Sequence, residues 1–163
     1  MESQQRIKSM ALIHERLYRS EDLAKIDFAE YTRNLTKSLL RSYGLNLNNI
    51  ELKIDVDDTL LSIDTAIPCG LIINELVSNS LKYAFPDDRE GEIKIGFHSC
   101  DGKFNLIVSD NGVGFPEDIN FQNTESLGLQ LVNTLTNQLN GDINLSNNGR
   151  TEFEISFTER EHN

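Results

Sequence analysis

The stretch from Asp64 to about Ala84 restricts the possible folds of this chain more than any other. It reads as one long helix, with Asp64 as its cap, Pro68 tolerated in its early turns, and Pro86-Asp-Asp breaking it. At about 100° per residue, Ile73, Leu76, Val77, Ser80 and Ala84 share one arc, the arc expected to face a sheet. Glu75, Asn79 and Lys82 fall within about 60° of one another on the opposite arc. A helix this apolar has to be covered by other elements, and polar groups on it are costly without partners.

The surrounding pattern supplies the cover. Asp27 followed by Glu30 resembles a capping box for a helix that runs to Tyr43 and stops at Gly44. Strands are expected at Glu51–Val56 and, in short form, Leu60–Ile63. Glu92–Phe97 and Lys103–Val108 alternate as a hairpin turning at Asp101-Gly102. A helix from Leu127 to Leu139 ends at Asn140-Gly141, and strands Asp142–Leu145 and Glu152–Phe157 close the chain. From residue 27 the order is α-β-β-α-β-β-α-β-β. It predicts an α+β two-layer sandwich whose mixed, mainly antiparallel sheet is covered on one face by helices. Residues 3–19 carry Ile7, Met10, Ala11, Ile13, His14 and Leu17 at helical spacing, giving an additional N-terminal helix outside the sandwich.

Composition excludes several functions. The 163 residues suffice for one domain with an extra element. The formal charge of −11, with no cluster of Lys and Arg, argues against a nucleic-acid partner and against anionic membrane surfaces. No apolar run reaches the roughly 18 residues of a membrane span, so no membrane insertion is expected. Cys69 and Cys100, in apolar contexts without metal-like spacing, are expected to be reduced core thiols of an intracellular, cytoplasmic protein.

Three segments carry chemistry. Glu75, Asn79 and Lys82 are compatible with a solvated Glu–Lys stripe. They are equally the makings of a Mg²⁺-phosphate site: Asn79 offers a hard oxygen, Lys82 a point charge, and Glu75 a carboxylate to orient water or act as a base. Asp110 continues the parity of Phe104, Leu106 and Val108, so it points to the covered face and requires a donor there, such as the exocyclic amine of adenine. Gly112 and Gly114 permit positive φ or close approach to a planar base, although Asp-Asn-Gly is also an ordinary turn. Ser126-Leu-Gly-Leu opens a helix whose N–H groups can cradle phosphate, or Ser126 simply caps it. Neither a P-loop nor a dinucleotide-binding glycine fingerprint is present.

In this order and spacing, the segments resemble the nucleotide-binding fold shared by gyrase, Hsp90, sensor histidine kinases and MutL, the Bergerat-type fold. Asn74–Tyr83 is similar to its N box, Asp110–Gly114 to the first glycine box, and Ser126–Leu129 to the second, with Ser126 where many members have glycine. Gly149-Arg-Thr-Glu-Phe153 resembles the closing strand, whose threonine helps hold a water at the adenine, a role implied for Thr151. The resemblance implies an ATP site formed by Asn79, Lys82, Tyr83, Asp110, Gly112, Gly114, Leu127, Gly128, Leu129 and Thr151. Asn79 would hold Mg²⁺ with Glu75 as a second candidate, and Glu75, Asn79 and Lys82 would serve catalysis. Arg6–Tyr18 is similar to the second dimerisation helix of one subfamily of two-component sensor histidine kinases. Residues 1–20 then form a remnant of the dimerisation element and residues 21–163 the catalytic domain.

Several consequences follow from that resemblance: transfer of the ATP γ-phosphoryl to a histidine, a response regulator receiver domain as partner, and a homodimer through residues 3–19. The acceptor histidine is expected upstream of residue 1, with His14 in a packing or hydrogen-bonding role and as the less favoured phosphoacceptor, and His98 and His162 solvated. The lid between Phe115 and Ser126 is short, with Phe121 alone standing for a phenylalanine box. Two alternatives remain open at this stage: a serine kinase or ATPase of the same fold, such as an anti-sigma-factor kinase, and a non-catalytic binding module.

Overall fold

The computed structural model describes Ile7 and residues 25–43, 49–86, 89–114, 126–147 and 149–158. Helix α1, Phe28–Ser42, begins as its sequence requires: Asp27 adopts an extended conformation and its carboxylate accepts the Glu30 N–H at 3.2 Å. Its apolar face buries Phe28, Tyr31, Leu35 and Leu39. Just before it lies strand β1, Lys25–Asp27, which the sequence pattern does not reveal because three residues are too few to show alternation. It pairs antiparallel with β3, Leu60–Ser62, in a separate two-stranded ribbon.

β3 runs straight into the central helix α2, Ile63–Asn79. This corrects the expected cap. The extended residue before the helix is Ser62, whose hydroxyl bonds the Thr65 hydroxyl at 3.1 Å, while Asp64 lies in the first turn, where its charge suits the helix dipole. α2 is buried at Thr65 and Ala66 and continuously from Pro68 to Ser78, on both the predicted arcs. The α-helix does not continue to Ala84. It gives way to a π-turn over Ser80–Ala84.

The main sheet has the order β2-β4-β5-β7-β6, with β2 Ile50–Val56, β4 Gly91–Cys100, β5 Lys103–Asp110, β6 Asp142–Ser146 and β7 Thr151–Thr158. Only β2 and β4 are parallel; the other pairings are antiparallel, as the mixed sandwich predicts. The β4–β5 hairpin turns through Asp101 and Gly102, both at positive φ, the signature of a tight two-residue turn. On the helix side, Phe28, Phe97, Phe104 and Phe157 form a connected aromatic cluster. The other face carries Lys53, Glu92, Lys94, Asn105, Glu152 and Glu154, all exposed or half-exposed.

The parallel pair gives the molecule two distinct ends. α1 and α2 each precede one of the parallel strands, so both helices finish where β2 and β4 begin. Asp110, at the end of β5, is opposite Ile93 near the start of β4 and therefore lies at that same end. Helix α3, Leu127–Gln138, packs on α2 in the reverse direction. Asp64, Ile67 and Pro68 at the start of α2 line one open cavity of about 420 Å³ together with Gln138 and Leu139 at the end of α3. The start of α3 accordingly lies at the Asn79 end of α2.

Candidate functional site

All three segments singled out in the sequence meet at the end of the molecule where α2 finishes. Glu75 is almost fully buried, 4% exposed, so a solvated Glu–Lys stripe is excluded. Asn79, one turn on, closes the α-helix and is half-buried. Lys82 is half-buried and Tyr83 is 68% exposed, both within the π-turn. The extra residue of a π-turn re-aims the side chains that follow it, so the wheel that placed Lys82 in line with Glu75 and Asn79 fails from Ser80 onward.

The turn is tied to the end of β5. Ser80 donates its hydroxyl to Asp110 Oδ2 at 2.7 Å, and the Ala84 carbonyl accepts the Val113 N–H at 2.9 Å. Gly112 lies so close to Ala84 that a Cβ would run into its carbonyl oxygen and methyl group. The close approach foreseen for this glycine is therefore made by the chain's own backbone.

Asp110 is 4% exposed and lies on the helix-covered face with Phe104, Leu106 and Val108, as its parity predicts. Its Oδ1 accepts the Gly112 N–H at 3.0 Å and its Oδ2 the Ser80 hydroxyl. A carboxylate has about four lone-pair sites, so these two bonds leave acceptor capacity. Thr151 is directly across the β5–β7 ladder from Asp110, and its hydroxyl donates to Asn147 Oδ1 at 3.5 Å. Asn147 also borders Gly114, whose φ of +94° is a conformation suited to glycine.

At the third segment, Ser126 caps α3 by accepting the Leu129 N–H at 3.5 Å. The simple capping role is thus realised, and the helix start it fixes still faces the Asn79 end. Gly128 and Leu129 are buried and Leu127 is 69% exposed. Among the described residues, large exposed apolar side chains are few, and Tyr83, Val113 and Leu127 supply one from each segment. Exposed apolar side chains, a buried acceptor, a cation and a helix N-terminus at one end of the fold suit a flat heteroaromatic ligand carrying an anionic tail.

Some sequence expectations fall elsewhere: of the two cysteines expected in the core, Cys69 is buried but Cys100, at the hairpin end of β4, is exposed. His14, His162, Phe115 and Phe121 lie outside the described residues, as does the 3–19 helix apart from Ile7, which is helical and 65% exposed. His98 is not simply solvated. At the opposite end, its Nδ1 lies 3.0 Å from Asp57 Oδ1 and its Nε2 3.4 Å from Asp55 Oδ2. The sequence reading missed Ser80 and Asn147. A serine on the sheet-facing arc of a buried helix needs a partner, and Asp110 needs a donor; matching those two demands would have paired them.

Among the described residues, no group of three His, Cys, Asp or Glu side chains could hold a metal ion. One carboxamide with a carboxylate behind it fits Mg²⁺ held largely by a ligand's phosphate oxygens. Nor is any described helix long and apolar enough to cross a membrane.

Comparison with known proteins gives the same picture. A family model described as histidine kinase-, DNA gyrase B-, and HSP90-like ATPase matches residues 64–161, and one described as histidine kinase matches residues 1–43. The chain is 29% identical over 147 residues to the sensor histidine kinase PdtaS of Mycobacterium tuberculosis, covering 89% of this chain and 29% of that protein. It is 32% identical over 79 residues to the serine-protein kinase RsbW of Listeria innocua, covering 40% of this chain and 50% of that protein. The structure of the histidine kinase domain of an Erythrobacter litoralis blue-light-activated histidine kinase superposes with a TM-score of 0.87 at 21% identity, covering 98% of this chain and 75% of that one. The chain thus spans less than a third of the curated sensor kinase it matches.

Proposed function

Since the chain belongs to the family of histidine kinase-, DNA gyrase B- and HSP90-like ATPases, we propose that it is the ATP-binding catalytic part of a two-component sensor histidine kinase. The observation that carries this reading is the convergence of Asp110, the Asn79–Lys82 turn and the start of α3 at one end of the fold. Asp110, Gly112, Gly114 and Thr151 would surround the adenine, Tyr83, Val113 and Leu127 its apolar rim, and Lys82 with Gly128 the phosphates. Asn79 would hold Mg²⁺, with Glu75 behind it. When bound, the cation would supply charge neutralisation at the phosphates. Lys82 and the α3 N-terminus would hold the γ-phosphoryl for in-line attack by an imidazole nitrogen. The N–P bond would form as the bond to the β-phosphate oxygen breaks, with Glu75 the candidate base for the imidazole proton.

The phosphoryl group would then pass to a response regulator receiver domain in the cytoplasm, and residues 3–19 would contribute to a homodimer. Similarity to the serine kinase covers 40% of the chain, against 89% for the sensor kinase, which favours the histidine acceptor. The test supplies a dimerisation fragment bearing an acceptor histidine in trans with radiolabelled Mg-ATP. Acid-labile, alkali-stable label on the fragment, lost with Asn79→Ala, is the expected result. Acid-stable label, or label unaffected by Asn79→Ala, would overturn the assignment.

A further inference from the structure

We propose that Ser80 is a positioning residue that sets the base specificity of this site, an inference that rests on the nucleotide reading above. Asp110 is tethered twice, and the two tethers differ in kind. The Gly112 N–H belongs to the same loop as Asp110 and moves with it. The Ser80 hydroxyl comes from the turn that ends α2, so this bond fixes the carboxylate directly to the segment that follows Asn79 and carries Lys82. Ser80 is itself buried, 7% exposed, and at 2.7 Å its bond has the short length of a charge-assisted one.

Two consequences follow for a purine. With one oxygen held by Gly112 and the other by Ser80, the carboxylate cannot turn about its last torsion, and its remaining lone pairs have one orientation in which to accept an exocyclic amine. The sole proton of the Ser80 hydroxyl is committed to Asp110, so a 6-oxo purine would bring its acceptor against a carboxylate with no proton to receive. Ser80 therefore both orients the amine acceptor and withholds the donor that an oxo group needs. Alanine at this position would leave Asp110 Oδ2 buried with one donor fewer, free to rotate or to recruit water in competition with the ligand amine. Because Ser80 follows Asn79 directly, the same bond ties base recognition to the metal and phosphate end.

The test compares two nucleotides that differ only in that amine, ATP and purine riboside triphosphate, titrated into the wild-type chain and Ser80→Ala in the presence of Mg²⁺. The wild type is expected to prefer ATP by about tenfold or more, the range of a hydrogen bond to a charged group. In Ser80→Ala the ratio should fall toward one, while affinity for purine riboside triphosphate stays within about twofold. A merely structural role for Ser80 would weaken both ligands alike, and an unchanged ratio would overturn the inference while leaving the nucleotide site standing. Failure of the wild type to bind either nucleotide would instead overturn the functional reading on which it rests.

Discussion

Tyr31 lies with its ring against Gly70 and is buried, yet its hydroxyl finds no hydrogen-bond partner among the described residues. Burial, with Cys69 beside it, pushes its phenol far above the usual tyrosine range. Since a buried hydroxyl without a partner costs free energy, Tyr31→Phe should be neutral or stabilising by about 1 kcal/mol in urea unfolding; a clear loss would mean the hydroxyl is bonded after all. Gly112 presents the opposite case. A methyl group there meets the Ala84 backbone, so Gly112→Ala should cost roughly 1–3 kcal/mol and loosen the loop that carries Asp110, weakening ATP binding as well. Unchanged unfolding would contradict the close approach. At this scale the parity of β5 located Asp110 from sequence alone. Its donor was legible in principle, because Ser80 falls on the sheet-facing arc of the same helical wheel; the geometry of Lys82 was not, because the π-turn lies beyond Asn79.

Elements with strong periodicity or turn chemistry were legible: α1 with its Asp27 cap, the hairpin at Asp101-Gly102, α3, and the closing strands. The obscured ones depend on tertiary context. β1 exists through its pairing with Leu60–Ser62, the α2 cap moved to Ser62 because a strand enters the helix directly, and the π-turn follows from its bonds to the β5 loop. The far end of the β2–β4 pair offers a prediction about pH. The His98 hydrogen bond, followed by the Ser99 N–H at 3.1 Å, holds the Asp57 carboxyl below its ordinary range. A carboxyl whose value is lowered on folding contributes stability above the unfolded-state value of about 4, and loses it as pH falls through the folded value. Asp57→Asn should therefore lower the thermal midpoint at pH 7, and the gap should narrow as the pH is taken down into the acid range. A gap of equal size at every pH would show that the charge is immaterial.

In the proposed function, recognition belongs to the end where α2 and β5 finish and α3 begins, while the cavity lined by Asp64, Pro68 and Leu139 lies at the other. With a formal charge of −11, the chain would oppose a polyanionic ligand, so in the proposed function a divalent cation and Lys82 would carry more of the burden than in a neutral protein. Mg-ATP at about a hundred times its dissociation constant should stabilise the domain by about 2.7 kcal/mol, and the shift should shrink when the cation is chelated. The most direct test of the account is calorimetric titration of ATP and GTP, each with and without Mg²⁺. Binding of ATP in preference to GTP, strengthened by Mg²⁺, is the predicted result. Absence of binding, or equal affinity for the two nucleotides, would contradict an adenine site at Asp110.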